Sequence, residues 1–122
     1  MFYSLPVAAD YERVRRIADQ SDSLVHCDVS HFCGFVAAKI IPSPFPYCDL
    51  VTTTATKTFR AAMTFSRKWM KDIIGQRVFP LFQAGADSPS TIALAVALIQ
   101  ARTPDSIKQQ RQIVEGADVL AK

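Results

Sequence analysis

The apolar residues in the first half of the chain follow a helical and then a strand-like spacing. Four of them fall on one face of a predicted helix over residues 10–20, namely Tyr11, Val14, Ile17 and Ala18. Asp10 has the side chain to cap its start. Short runs of apolar and β-branched residues predict three strands, at 24–28, 50–54 and 63–66. Strands that alternate with helices indicate an α/β fold with a mostly parallel sheet and flanking helices.

Prolines limit the shorter helical segments. Residues 34–41 are compatible with a short helix that Pro42 stops. Another helix is predicted to begin over residues 69–74, and Pro80 interrupts its continuation.

Two longer helices are predicted in the second half by one kind of start signal. Ser88 and Pro89 suit an N-cap and the first helical position, and the helix runs to about Ala101. This helix is apolar nearly all round, so we predict that it is buried. Thr103, followed by a proline, starts a last helix that reaches Ala121.

Composition indicates one modest globular domain. The 122 residues are 49% apolar and 20% charged, which is unlike a disordered chain. The net charge is +3 with acids and bases mixed, so we expect no nucleic-acid partner. The longest apolar run, residues 92–99, is too short to span a bilayer, so we expect no membrane partner.

The cysteines and the N-terminus indicate an intracellular protein. Cys27, Cys33 and Cys48 form no CxxC pair, and an odd count favours a reducing compartment. The N-terminus has no cationic segment followed by an apolar core, so no signal peptide is expected. We expect a cytoplasmic rather than a mitochondrial location.

Two charged residues fall at the ends of predicted strands. Asp28 closes the first strand, and Lys57 lies near the end of a threonine-rich run over residues 49–58. The carboxyl ends of parallel strands share one edge of the sheet, and ligands bind there. We therefore predict one site with the Asp28 carboxylate, the His31 imidazole and the Lys57 amine. An amine held out of bulk water loses its proton more readily and can form a Schiff base.

Simpler interpretations exist for the same residues. Lys57 alone is compatible with a solvated strand-end lysine, and Asp28 alone with a turn or cap residue. A metal site is an alternative for a cluster of five residues: His26, Cys27, Asp28, His31 and Cys33. Its spacing fits no standard site, and in a strand Cys27 points away from the face of His26 and Asp28.

Other prominent side chains are predicted to be structural. Cys33 and Cys48 are predicted to be small core residues. We predict that Arg13, Arg15 and Arg16 form a solvated face of the first helix rather than a phosphate site.

Three segments carry motifs that a known family shares. Residues 28–39 (DVSHFCGFVAAK) are similar to an Asp-x-Ala-His segment followed by Gly-x-Val-Ala-Ala. Residues 42–54 (PSPFPYCDLVTTT) lead into residues 55–62 (ATKTFRAA), where the family continues Thr-His-Lys-Thr-Leu-Arg-Gly-Pro-Arg. Residues 78–85 (VFPLFQAG) are similar to Val-Phe-Pro-Gly-x-Gln-Gly-Gly. The chain resembles the central part of serine hydroxymethyltransferase.

The resemblance implies an enzyme that uses pyridoxal 5'-phosphate (PLP). The family interconverts serine and glycine with tetrahydrofolate as co-substrate, within one-carbon metabolism. The implied fold is the aspartate-aminotransferase-like fold type I, and residues 1–122 would form a single partial segment of its large domain. The implied partners are a small amino acid substrate and other subunits, as a homo-oligomer or with family subunits.

Four residues correspond to cofactor contacts in the family. Lys57 matches the catalytic lysine that forms the Schiff base with PLP. Asp28 matches the carboxylate that pairs with the pyridinium nitrogen and keeps it protonated. His31 matches a histidine beside the phenolic oxygen of the cofactor. Ser30 replaces a small alanine that packs against the ring.

Several positions depart from the family pattern. Thr56 stands where the family has a histidine before the lysine, and Ala55 replaces the last threonine of the run. Leu81 and Ala84 replace glycines of a loop that helps to bind phosphate in the family. These departures motivate an alternative, in which the chain is a non-catalytic truncated paralogue that associates with full-length family subunits.

The resemblance covers only part of the family's chain. We expect the phosphate cradle, the residue that stacks on the ring and the arginine that holds the substrate carboxylate to lie in other segments. The short chain is therefore expected to be weak or inactive by itself. Uncovered sheet edges and apolar faces also predict oligomerisation or marginal stability.

Overall fold

The computed structural model of the chain describes residues 9–54, 62–85 and 87–121. Eight main elements follow one another along these residues: α1 Tyr11–Gln20, β1 His26–Asp28, α2 Cys33–Ala37, β2 Leu50–Thr54, β3 Ala62–Ser66, α3 Lys71–Gln76, α4 Ser88–Ala101 and α5 Pro104–Leu120. A 3₁₀ turn at Lys68–Met70 precedes α3, and a wide helical segment at Arg77–Phe82 follows it.

The strands form one mixed sheet in the order β1-β2-β3. β1 and β2 are parallel, with Asp28 aligned to Thr52, and β2 and β3 are antiparallel. The connection over residues 29–49 contains α2 and is long enough for a parallel crossover. Residues 55–61 are fewer than the dozen or so that a crossover needs, so β3 returns antiparallel to β2. The α/β class is confirmed, and the described sheet is mixed rather than mostly parallel.

α1 forms as the apolar spacing predicts. The Asp10 carboxylate accepts a hydrogen bond of 2.9 Å from the Arg13 backbone N–H and caps the helix. The apolar face of α1 packs with residues of β1 and β2. With α2 and the adjoining connections, these elements form a buried cluster of eight side chains: Tyr11, Ala18, Val25, Cys27, Val29, Cys33, Cys48 and Val51. Cys33 and Cys48 are thus core residues, as predicted.

Arg15 differs from the solvated residue that the sequence predicts. Its Nη1 donates to Asp49 Oδ2 at 2.7 Å, and the Val25 backbone N–H donates to the same oxygen at 2.8 Å. Arg15 Nη2 also donates to the Ser23 carbonyl at 3.0 Å. The Asp49 side chain therefore joins α1 to the starts of β1 and β2 through hydrogen bonds. Sequence spacing could not show this contact, because 34 residues separate the two partners.

The short helices differ from their predicted bounds. α2 ends at Ala37, before the predicted residue 41, and α3 follows a 3₁₀ turn rather than starting at Trp69. Phe79, the residue before Pro80, has extended backbone with φ −117° and ψ 128°. The proline therefore interrupts the helical path, as predicted, because it disfavours helical backbone in the residue before it.

α4 and α5 begin and end close to their predicted positions. α4 is capped by Asp87 rather than Ser88, because the Asp87 carboxylate accepts from the Ser90 backbone N–H at 3.0 Å. α5 is capped by Thr103, as predicted, and ends at Leu120.

The prediction that α4 is buried is wrong for the described residues. Leu94, Ala97 and Ala101 pack against the core cluster, but Ile92 and Ile99 remain 65% and 68% exposed. An all-round apolar helix needs cover on every side, and the described chain offers a surface for one side only. No helix within the described ranges is both long enough and apolar enough to cross a membrane.

Candidate functional site

The predicted site residues that the structure describes lie at the carboxyl edge of the β1-β2 pair. The parallel register brings the ends of both strands, Asp28 and Thr54, to the same edge. The Val29 backbone N–H continues the ladder beyond β1 by donating to the Thr52 carbonyl at 2.8 Å. This arrangement agrees with the prediction that chemistry-bearing residues meet where parallel strands end.

Ser30 connects these two strand ends. The Ser30 backbone N–H donates to Asp28 Oδ1 at 2.8 Å, and the Ser30 hydroxyl donates to the same oxygen. The Thr54 backbone N–H in turn donates to Ser30 Oγ at 2.7 Å. The hydrogen bonds from described residues to the Asp28 carboxylate both end on Oδ1. Both bonds hold Oδ1 to the turn that follows β1.

The surroundings of Asp28 favour its charged form. Partial burial raises its pKa, whereas the hydrogen bonds from the Ser30 hydroxyl and backbone N–H lower it. Electrostatic interaction with His26 and His31 lowers the Asp28 pKa further. The net result is a pKa below the ordinary value of an aspartate, so Asp28 is ionised at neutral pH.

His31 lies three residues beyond the end of β1, on the exposed surface. It borders a cleft of about 610 Å³, with Phe35 of α2 on one side and the α4–α5 junction on the other. The predicted neighbourhood of Asp28 and His31 is thus present in the structure, and His31 contributes to the electrostatics of the carboxylate.

Lys57 lies outside the described residues, as do Ala55 and Thr56. The structure follows β2 to Thr54, three residues before the lysine. The predicted amine therefore stays a prediction, and the described site consists of Asp28, Ser30 and His31 with the end of β2.

Thr54 is the site residue that the sequence analysis missed. Its backbone N–H, rather than its side chain, reaches Ser30, so residue type gave no signal. The Asp28–Ser30 contact could have been predicted from the sequence, because an aspartate side chain commonly accepts a hydrogen bond from the backbone N–H two residues later.

The metal alternative receives no support from the described residues. His26 Nε2 lies 2.9 Å from Thr52 Oγ1, and Cys27 is buried on the other face of the strand. Within the described ranges, no group of three His, Cys, Asp or Glu residues is arranged to hold a metal ion.

Comparison with known proteins identifies relatives of this chain. The family model of serine hydroxymethyltransferase matches residues 3–122. Serine hydroxymethyltransferase of Desulfotalea psychrophila is 41% identical over 119 residues, which cover 95% of this chain and 28% of that protein. The mitochondrial serine hydroxymethyltransferase of Schizosaccharomyces pombe is 39% identical over 129 residues, covering 92% of this chain and 26% of that protein. The enzyme of Bombyx mori is 38% identical over 130 residues, covering 93% of this chain and 28% of that protein.

The matched relatives extend well beyond the segment that they share with this chain. The chain spans about a quarter of the length of the curated relatives it matches, between 26% and 28%. The match nevertheless includes nearly all of its residues, and with them Asp28, Ser30, His31 and Lys57. The chain belongs to the serine hydroxymethyltransferase family.

Proposed function

We propose that this chain contributes a PLP-binding segment to the interconversion of serine and glycine with tetrahydrofolate. The observation that carries the proposal is the ionised Asp28 carboxylate at the carboxyl end of β1. It is joined through Ser30 to the end of β2, the strand that leads to Lys57. Family membership supplies the reaction class.

The chemistry of the described residues fits the cofactor. An ionised carboxylate with one oxygen held by its own turn suits a protonated pyridine nitrogen. Bound PLP supplies an electron sink for negative charge at the substrate α-carbon. In this proposal Asp28 keeps the ring nitrogen protonated, His31 lies beside the phenolic oxygen, and Lys57 holds the cofactor covalently.

The wider assignments are part of the same proposal. Residues 1–122 form a single partial segment of a fold type I large domain, completed by further chain or further subunits. The S. pombe relative is named mitochondrial and the Neurospora crassa relative cytosolic, so a cytoplasmic location stays a prediction.

Visible absorption tests the proposal directly. PLP bound covalently to a lysine gains a visible band that free PLP in the same buffer lacks. We expect this band in the parent protein, its loss in Lys57→Ala and its weakening in Asp28→Asn. Lys71→Ala, which changes an exposed lysine of α3, is the matched control and keeps the band. A parent without the band, or a Lys57→Ala protein that retains it, would contradict the assignment.

A non-catalytic partner of full-length family subunits is the second candidate. The observation that favours it is the exposed apolar surface of α4, at Ile92, Val96 and Ile99. Leu81, which replaces a glycine of the family motif, is also 61% exposed. Such surfaces suit contact with another family subunit better than they suit water.

Association with a full-length family enzyme tests this candidate. We expect co-elution with that enzyme in size-exclusion chromatography, and its loss in Ile99→Glu. Gln112→Glu adds the same charge to an exposed position of α5 and is the control. A chain that stays monomeric beside the enzyme and turns over serine alone would rule this role out.

A further inference from the structure

The hydroxyl of Ser30, a residue that is only 5% exposed, acts both as a hydrogen-bond donor and as an acceptor. The hydroxyl donates to Asp28 Oδ1 and accepts from the Thr54 backbone N–H. Ser30 Oγ thus links Asp28, a candidate cofactor-binding residue, to the end of β2, the strand that precedes Lys57.

This link continues the parallel ladder after the backbone pairing has stopped. Asp28 is aligned with Thr52, and the next ladder bond joins the Val29 N–H to the Thr52 carbonyl. Two residues further along each chain, Thr54 donates to the side chain of Ser30 instead of to a carbonyl. The Ser30 side chain thereby ties the last residue of β2 to the turn that follows β1.

We propose that Ser30 is a positioning residue, which orients the Asp28 carboxylate toward the cofactor and ties it to the end of β2. The inference deepens the proposed function and rests on it for the identity of the cofactor. Alanine, which occupies the matching position of the family motif, keeps the backbone N–H but has no hydroxyl. The coupling between Asp28 and Thr54 is therefore specific to a chain that has serine here.

A merely structural role for Ser30 is distinguishable from positioning. If the hydroxyl only accepted the hydrogen bond from the Thr54 N–H, its removal would lower stability and leave the charge of Asp28 unchanged. If it positions the carboxylate, its removal changes how Asp28 titrates in the protein without cofactor. His26 and His31, the titratable neighbours that act on Asp28 among the described residues, are retained in the sequence of every variant.

The experiment is a ¹³C NMR titration of the Asp28 carboxyl group, paired with PLP binding, in the parent and in two variants. We expect Ser30→Ala to raise the pKa of Asp28 and to weaken PLP binding about tenfold, the effect of losing one hydrogen bond to a charged group. Ser30→Cys keeps the approximate side-chain volume but replaces the hydroxyl with a weaker donor, so both effects should be intermediate. It also provides a readout where Ser30→Ala does not fold.

Ser90 provides a matched control within the same chain. Its hydroxyl donates to Asp87 Oδ2 at 2.6 Å and its backbone N–H donates to the same oxygen at 3.0 Å. This is the contact pattern of Ser30 and Asp28, but it lies at the exposed start of α4. Ser90→Ala should raise the pKa of Asp87 while it leaves the titration of Asp28 and PLP binding unchanged.

The outcomes separate this inference from the proposed function. An unchanged Asp28 pKa in both Ser30 variants would overturn the positioning role, whatever PLP does. A raised Asp28 pKa in a protein that never binds PLP would support the coupling and refute the cofactor assignment. A raised pKa with PLP affinity equal to that of the parent would overturn the claim that the hydroxyl orients Asp28 for the cofactor.

Discussion

The residues before and after the β2–β3 connection bury their side chains to different degrees. The segment over residues 9–54 contains a cluster of eight buried side chains, whereas none of the described residues from 62 onward is buried. Yet α4, in the second region, has a more apolar composition than α1 in the first. The difference shows that a helix is buried by the surface packed against it and not by its own composition.

The β2–β3 ladder is the main connection between the two regions, and several contacts outside it add to this connection. Phe45 and Phe65 meet edge to face, with ring centroids 5.2 Å apart. Arg67, just after β3, donates to the Pro46 carbonyl at 2.7 Å. The second region is therefore attached to the core through β3, through one side of α4 and through the α2–α5 contact.

Truncation of a core valine should give the largest stability difference between the regions. Val51 is 2% exposed, so Val51→Ala should lower the free energy of unfolding by about 2–3 kcal/mol. Val96 in α4 is 49% exposed, and Val96→Ala should cost less than about 1 kcal/mol. Urea unfolding at low protein concentration measures both. Equal losses would contradict the contrast and show that α4 is covered in solution.

Cysteines in the two regions should differ in the rate at which they are alkylated. Burial raises the pKa of the Cys48 thiol to about 11, and burial also raises the pKa of Cys27. At pH 8 the thiolate fraction of Cys48 is then about 100-fold below that of an ordinary cysteine. A cysteine introduced by Val96→Cys should react with iodoacetamide at least that much faster than Cys48. Loss of the difference in urea is the control, and equal native rates would show that the core is open.

Acid should weaken the first region through Asp49. Hydrogen bonds from the Val25 N–H and from Arg15 lower its pKa against the opposing effect of burial. A lowered folded-state pKa stabilises the protein above about pH 4, and this stabilisation is lost as the pH falls further. Asp49→Asn should cost about 1–2 kcal/mol at pH 7 and reduce the acid dependence of the urea midpoint.

Asp87→Asn is the control for the acid effect, since Asp87 caps the exposed α4. The hydrogen bonds from the Ser90 hydroxyl and backbone N–H lower its pKa too, but its contact lies outside the core. If Asp87→Asn changed the acid dependence of stability more than Asp49→Asn does, the role assigned to the Asp49 contacts with Arg15 and Val25 would be contradicted.

A substitution at the α2–α5 contact should have the smallest effect. A Cβ atom on Gly34 would lie 2.6 Å from Gln110 Oε1, but that amide is the flexible end of a long side chain. Gly34→Ala should therefore change stability by less than about 0.5 kcal/mol, because alanine also favours the helix. A larger loss that Gln110→Ala fails to rescue would show that α5 is held firmly against the core.

Local signals in the sequence predicted where the elements begin and end better than they predicted strand orientation and burial. α1 and α5 have clear caps at Asp10 and Thr103, and the β-branched run of β2 begins and ends where predicted. The orientation of β3 depends on the length of the connection before it, and the exposure of α4 depends on which surfaces the chain supplies. Neither property is encoded in the residues of the element itself.

The candidate site was predictable in part for the same reason. Asp28 and His31 follow from their place at a strand end, which is a local property. The contact of Arg15 with Asp49 and that of Ser30 with Thr54 join residues 34 and 24 positions apart. Such pairs depend on the register of β1 against β2, which the sequence pattern alone did not fix.

The hydrogen bond from the Thr54 amide to the Ser30 hydroxyl makes that amide a reporter of the Ser30 side chain. The Val29 amide, bound to a peptide carbonyl of β2, exchanges its hydrogen with solvent only when the sheet opens. The Thr54 amide is held by a hydroxyl, so rotation of one side chain is enough to release it. Hydrogen exchange at Thr54, compared with Val29, therefore measures the state of the Ser30 side chain separately from the unfolding of the sheet.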